Sequence, residues 1–161
     1  MAAKSKQGVQ ARSVARLRAA QALYQMDMAG TDLNQVIDNF GRGRLPVEDD
    51  EAETELAEAD QTFFAELVKG VVRRQRDIDP IIDEQLAIGW RLVRIESTLR
   101  AILRAAVFEL MERPDVPGRV VINEYINVAH AFFEDDEPKV VNGILDRLAK
   151  RYRPEEFVVK G

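Results

Sequence analysis

The residues of this chain best suited to bind another molecule lie within its first 26 positions. That stretch contains no acidic residue and five basic ones, namely Lys4, Lys6, Arg12, Arg16 and Arg18. Arg12 and Arg16 are one helical turn apart and share a face, and Gln21 and Tyr24 follow on the same segment. Guanidinium groups pair with phosphates, an amide hydrogen-bonds base edges and a phenol stacks on a base. The pattern therefore predicts either a nucleic-acid site or a solvated basic helix, and by itself it favours neither.

The scarcity of cysteine and histidine excludes several kinds of catalytic and metal-binding site. The chain has no cysteine and a single histidine, His130. A disulfide framework, a thiolate metal site, a cysteine nucleophile and a multi-histidine site are therefore excluded. His130 lies one helical turn before Glu134, which is typical of a paired histidine at a surface. We expect no catalytic residues, no metal and no cofactor.

The net charge is −5, which at first argues against a nucleic-acid partner. Eight acidic residues and no basic one fall between positions 48 and 60: Glu48, Asp49, Asp50, Glu51, Glu53, Glu55, Glu58 and Asp60. Without them the chain would carry +3, and residues 1–26 alone carry +5. The negative average therefore combines a basic N-terminal segment with an acidic stretch that is typical of a solvated loop.

The elements that must position these residues are predicted to be helices throughout. Apolar residues recur at helical spacing in residues 10–28, 33–40, 64–71, 99–110, 122–132 and 141–152. Asp79 followed by Pro80 is typical of a helix start, while Pro114 and Pro154 lie beyond helix ends. No segment shows the alternation of a strand. The sequence predicts an all-α fold of about seven helices.

We expect one domain, residues 1–161, built from two packed helical sub-bundles. A flexible tail covers residues 1–9, residues 10–88 form the N-terminal sub-bundle with an acidic loop at 44–60, and residues 90–153 form the C-terminal sub-bundle. The longest apolar runs, such as 105–108, are far shorter than the roughly 18 residues of a membrane span. The N-terminus lacks the apolar region of a secretory signal. We therefore expect a cytoplasmic protein with no membrane partner.

Two further features are predicted to be structural. Arg91, Arg94, Arg100 and Arg104 follow the only tryptophan, Trp90. We expect these arginines to form surface salt bridges and Trp90 to be a packing anchor. Asn142 and Gly143 stand inside a predicted helix, where glycine costs about 1 kcal/mol relative to alanine. We expect close approach of another helix to compensate for that cost.

Four segments together resemble the NusB family. They are residues 15–24 (ARLRAAQALY), residues 103–110 (LRAAVFEL) with the turn at 115–117, residues 121–124 (VINE) and residues 141–146 (VNGILD). The segments occur in the order and spacing of that family over about 140 residues of the chain. The match is specific because all four are in register.

The resemblance implies an all-helical fold and a non-catalytic role in transcription antitermination. Members of the family bind single-stranded boxA RNA of ribosomal RNA operons together with the ribosomal protein NusE, within a complex that contains RNA polymerase. The residues that match the family's RNA-binding positions are Arg12, Arg16, Gln21 and Tyr24 on the first helix, and Asp136 and Lys139 at the start of the last long helix.

Three alternatives stay open at this point. The acidic balance is compatible with a helical protein-interaction adaptor that binds no RNA. A similar helical domain precedes some ribosomal RNA cytosine methyltransferases, although a chain ending at Gly161 leaves no room for their cofactor-binding domain. The family resemblance also leaves a homodimer possible, because some members self-associate.

Overall fold

The computed structural model describes the backbone of residues 2–41, 58–89 and 97–158, and the side chains of residues 11–39, 60–86 and 97–158. Over these residues the chain is helical and contains no strand, which confirms the predicted all-α class. The helices are α1 (Ala2–Ala29), α2 (Leu33–Gly41), α3 (Glu58–Gly89), α4 (Ser97–Glu112), α5 (Gly118–Phe132) and α6 (Glu137–Tyr152), followed by a 3-10 helix, Pro154–Phe157. Most of the acidic loop, together with Trp90, Arg91 and Arg94, lies outside the described residues.

The chain divides into two compact units, Met1–Gly70 and Val71–Gly161. The boundary between these units falls within α3, and helix α1 begins at Ala2. The sub-bundles at residues 10–88 and 90–153 and the tail at residues 1–9 stay predictions. Alanine, lysine and glutamine dominate these first residues, and all three favour a helix.

Helix α3 continues through Pro80, where the sequence predicted a new helix, so the described residues form six α-helices where about seven were expected. An interior proline removes one backbone hydrogen bond and costs about 3 kcal/mol. Ile78 and Ile82, on either side of Pro80, are fully buried. Asp79 does not act as a helix cap, because its carboxylate accepts hydrogen bonds from Arg104 Nε at 2.8 Å and Arg104 Nη2 at 3.0 Å. Burial and this ion pair hold the helix together across the proline.

The Asp79–Arg104 pair also shows the role of one of the four arginines that follow Trp90 in the sequence. Burial alone raises the pKa of Asp79, but hydrogen bonds and the charge of Arg104 outweigh it and hold the pKa below its usual value. Arg100 pairs in the same way with Asp83, at 3.2 Å. Both of these arginines are engaged in salt bridges, but Arg104 is 7% exposed, so its pair does not lie at the surface as the sequence predicted.

The first unit is built on the small residues of α1. Ala15, Ala19 and Ala22 are fully buried, which allows α2 to pack closely against α1. Gly30 ends α1 with a φ of +65°, a left-handed conformation that glycine adopts without steric cost. The amide of Val36 donates to Asp32 O at 3.0 Å, so the chain re-enters a helix directly after this turn.

The second unit surrounds α4. Every residue from 101 to 110 is buried, including the charged residues Arg104 and Glu109. Helices α5 and α6 pack against α4 and against each other through the apolar residues that the sequence pattern singled out, including Tyr125, Val141, Ile144 and Leu148. A helix buried on all sides loses its amphipathic pattern, and α4 is therefore the centre of this unit.

One buried arginine, Arg153, donates hydrogen bonds to carbonyl groups at the C-terminal end of α4. Arg153 is 3% exposed, and its guanidinium donates to four carbonyl oxygens: Leu110 at 3.0 Å, Glu109 at 3.1 Å, Arg113 at 2.7 Å and Val116 at 2.7 Å. The last carbonyls of a helix have no partner within the helix, so a buried end requires donors from elsewhere. Arg153 supplies them from the far end of the unit.

Glu156 extends this arrangement to α5. Its Oε2 accepts from Arg153 at 2.9 Å, and its Oε1 accepts from the amide of Gly118, the first residue of α5, at 2.7 Å. Desolvation by itself would raise the pKa of Glu156. The hydrogen bonds from Gly118 and Arg153 and the charge of Arg153 outweigh this effect, so the pKa lies below its usual value. One carboxylate thus joins the end of α4 to the start of α5.

The close helix approach expected at Gly143 is absent. A Cβ atom built at Gly143 meets no heavy atom within 4 Å. Asn142 is exposed, so its amide does not serve a buried backbone group. The cost of glycine in this helix is therefore not offset by packing within the described structure.

We expect Arg153→Met to destabilise the protein strongly, because it removes five hydrogen bonds of a buried guanidinium, among them those to Leu110 O and Val116 O. The free energy of unfolding, measured by urea denaturation, should fall by about 3–5 kcal/mol. The neighbouring Arg151→Met is the matched control, because Arg151 is exposed; its effect should stay within about 0.5 kcal/mol. A loss below about 1 kcal/mol for Arg153→Met would contradict the capping role.

We expect Gly143→Ala to stabilise the protein, because alanine favours a helix and its Cβ has room. A gain of up to about 1 kcal/mol corresponds to a Tm increase of about 2–4 °C. Gly30→Ala is the control of opposite sign, since alanine is strained at positive φ and the Tm should fall. A Tm decrease for Gly143→Ala would show that an unseen contact occupies that space.

Candidate RNA-binding surface

The basic face of α1 is organised by one aromatic ring. The guanidinium carbon of Arg12 lies 5.2 Å from the centroid of the Phe63 ring, and that of Arg16 lies 5.1 Å from the same centroid. Phe63 belongs to α3 and is 4% exposed. Cations at this distance are attracted to the ring face. The two arginines predicted to share a face of α1 therefore also share a contact.

The two arginines differ in what they offer to solvent. Arg12 is exposed, and none of the described side chains forms an ion pair with it. Arg16 is only 2% exposed and is among the largest fully buried side chains of the described residues. Arg12 can pair with a phosphate as it stands, whereas Arg16 lies beneath the surface, where it holds Phe63.

Arg18, the third arginine of α1, points elsewhere. It is 3% exposed, and this burial lowers its pKa. The sequence placed Arg18 on roughly the opposite side of the helix from Arg12 and Arg16, and the structure buries it there. It adds no charge to an accessible basic face.

Gln21 follows Arg16 and Arg18 by about one helical turn, and Tyr24 follows them by about two. Both side chains are half-buried. The Gln21 Oε1 atom is buried and has no hydrogen-bond partner among the described residues. A buried acceptor without a donor is costly, so a donor from a bound molecule would be favourable there. Tyr24 retains part of its ring surface for stacking.

Asp136 and Lys139 belong to the second unit, at the start of α6. Both side chains are 83% exposed, and Lys139 Nζ lies 3.9 Å from Asp136 Oδ1. Asp136 is the residue before the helix, but its side chain makes no capping hydrogen bond. A fully solvated pair of this kind is worth little, so both groups can turn to a ligand.

The first unit thus brings Arg12 and Arg16 together, and Gln21 and Tyr24 lie farther along α1. Asp136 and Lys139 lie next to each other in the second unit. Sequence reasoning missed Phe63. The signal was the adjacent pair Phe63-Phe64, of which only Phe64 fits the apolar stripe of α3. A second buried aromatic beside that stripe indicates contact with another helix.

Other kinds of site find no support in the part of the chain that the structure describes. No group of three or more His, Cys, Asp or Glu side chains there could hold a metal ion. None of the helices in these ranges is long and apolar enough to cross a membrane.

Comparison with known proteins places the chain in a family. The model of the NusB family matches residues 13–150. Transcription antitermination protein NusB of Allorhizobium ampelinum is 53% identical over 142 residues, which is 88% of each chain. The protein of the same name from Caulobacter vibrioides is 53% identical over 145 residues, 90% of this chain and 96% of that protein.

Solved structures agree with the sequence relatives. The structure of T. maritima NusB superposes with a TM-score of 0.73 at 30% identity, covering 91% of this chain and 96% of that one. NusB in a crystal structure with NusE and double-stranded RNA gives a TM-score of 0.69 at 26% identity, covering 89% and 98%. Sequence and fold therefore agree, and the chain belongs to the NusB family.

Proposed function

We propose that this chain is a non-catalytic, RNA-binding transcription antitermination factor. It binds single-stranded boxA RNA of ribosomal RNA operons together with the ribosomal protein NusE, and acts with RNA polymerase in the cytoplasm. Family membership supports the function, and a related NusB has been crystallised with NusE and RNA. The observation that carries it is the exposed charge of Arg12, which has no ion-pair partner among the described side chains and lies over Phe63 in an acid-free segment of α1.

The six residues of the RNA surface have different roles in this proposal. Arg12 and Lys139 pair with phosphates, Gln21 and Asp136 hydrogen-bond base or sugar groups, and Tyr24 stacks on a base. Arg16 acts from below, because it is buried and holds the ring on which Arg12 rests. The net charge of −5 does not oppose RNA binding, since the acidic residues are concentrated in another segment.

The function is tested by RNA binding with and without NusE. Fluorescence anisotropy with a labelled boxA strand should show tighter binding when NusE is present, because the joint surface is larger. A scrambled single strand and a boxA duplex are the matched probes, and both should bind more weakly. Equal affinity for all three, with and without NusE, would reject the proposal in favour of an adaptor that binds no specific RNA. Light scattering of the free chain distinguishes a monomer from a homodimer.

We expect Arg12→Ala to weaken boxA binding and to reduce its salt dependence. Losing one phosphate contact to a single strand lowers the slope of log K against log salt by about 0.7. Arg76→Ala is the matched control, because Arg76 is exposed on α3 and has no ion-pair partner among the described residues. An unchanged slope for Arg12→Ala would remove this residue from the RNA surface.

Arg16→Ala should also weaken boxA binding, but by a different route. Because Arg16 is buried, its loss should lower the Tm as well, whereas Arg12→Ala should leave the Tm within about 1 °C. Thermal unfolding followed by circular dichroism separates the two effects. Weakened binding at an unchanged Tm for Arg16→Ala would show that Arg16 itself reaches the RNA.

A further inference from the structure

A groove on the second unit is not used by the proposed RNA surface. It has a volume of about 350 Å³ and lies between α5, α6 and the C-terminal 3-10 helix. Its lining combines basic, amide and apolar side chains: Arg119, Ile122, Asn123, Asn142, Asp146, Lys150 and Phe157. Lys150 and Asp146 pair with each other, whereas Arg119, Asn123 and Asn142 form no hydrogen bond or ion pair with the described residues.

The groove contains one uncompensated positive charge. The guanidinium carbon of Arg119 lies 5.8 Å from the centroid of the Phe157 ring, which orients it. Arg119 is exposed and has no ion-pair partner among the described residues. Lys150, by contrast, is neutralised by Asp146, with Nζ and Oδ2 3.0 Å apart. Arg119 is therefore a pre-oriented donor for a single anionic group.

Two asparagines face solvent from neighbouring helices of the groove. Asn123 on α5 and Asn142 on α6 are exposed, and neither amide forms a hydrogen bond with any described residue. Asparagine is unfavourable in a helix interior, where nothing in this structure compensates for it. Each amide presents one acceptor and two donors, which complement the N–H and C=O groups of an extended main chain.

Gly143 adds room beside these amides. Helical spacing puts Gly143 on the same face as Asp146 and Lys150, which line the groove. A Cβ at this position would meet nothing within 4 Å. Two asparagines that weaken a helix therefore line one groove, and Gly143 adjoins one of them along α6; the described residues give none of the three a packing or hydrogen-bonding role, as at sites built for another molecule.

We propose that this groove binds an extended, acidic peptide segment of a protein partner. One carboxylate of the peptide pairs with Arg119, and its main chain hydrogen-bonds Asn123 and Asn142. An apolar side chain of the peptide packs against Ile122 and Phe157. The site is additional to the RNA surface and does not depend on the proposed RNA function.

Charge favours a peptide over RNA as the occupant. A nucleic acid brings one negative charge per nucleotide and is held by several cations. The groove offers one free cation and carries Asp146 in its lining, and the 3-10 helix that bears Phe157 also bears Glu155 and Glu156. A ligand with one carboxylate and a neutral main chain complements this arrangement.

The probe that tests the proposal is a displayed library of random octapeptides. Selection on the full-length protein is followed by counter-selection on the variant Arg119→Gln/Asn123→Ala/Asn142→Ala, in which all altered side chains are exposed. We expect enriched peptides to carry Asp or Glu near a large apolar residue. By anisotropy, Arg119→Gln and the double asparagine variant should each weaken binding of the synthesised peptide about tenfold or more. Replacing the acid of the peptide by its amide should have the same effect as Arg119→Gln.

Matched controls separate this site from general surface effects. Arg76→Gln removes an exposed arginine elsewhere, and Asn127→Ala removes an exposed asparagine one turn along α5; both should leave the peptide Kd within about twofold. The triple variant should bind boxA RNA with unchanged affinity. No enriched peptide, or peptides that bind the triple variant equally well, would overturn the proposal. Loss of boxA affinity in Arg119→Gln would instead assign the groove to RNA, and absence of RNA binding by the unaltered protein would reject only the proposed function.

Discussion

The second unit depends on the buried guanidinium of Arg153. Helix α4 is buried over residues 101–110, and Arg153, which lies between α6 and the 3-10 helix, donates to the carbonyls of Glu109 and Leu110 near its end and to that of Arg113 just beyond it. Through Glu156 the same group also fixes the first amide of α5. Because the 3-10 helix carries both Glu156 and Phe157, the position of the groove beside α5 follows from this one cluster of hydrogen bonds.

In the first unit, the basic face of α1 depends on the ring of Phe63, which Arg12 and Arg16 both contact. Two guanidinium groups on one face of α1 would repel each other in an apolar setting, but both lie against the negative face of the same ring. Arg16 is buried beside this ring, whereas Arg12 is exposed to solvent. Of the three described arginines of α1, only Arg12 therefore presents its charge to solvent.

Much of the fold could be predicted because local patterns are strong in this chain. The apolar stripes of α4, α5 and α6 marked the core residues, and four segments identified the family. Pro80 was misread because a proline after aspartate is a reliable helix start only when no tertiary contact competes. Here Arg104 engages Asp79, and the buried residues Ile78 and Ile82 continue the helix across the proline.

The sequence by itself determined the helical class, the family, the segregation of charge and the residue types available for binding RNA, because all of these depend on composition, periodicity and spacing along the chain. Tertiary structure alone decided which of those residues are accessible. Arg12 and Arg16 have the same side chain on the same helical face, yet one is exposed and the other is 2% exposed, because Phe63 approaches from a distant helix. Likewise, only the packing of α5, α6 and the 3-10 helix showed that Asn142 lines an open groove and that a side chain at Gly143 would meet no neighbouring helix.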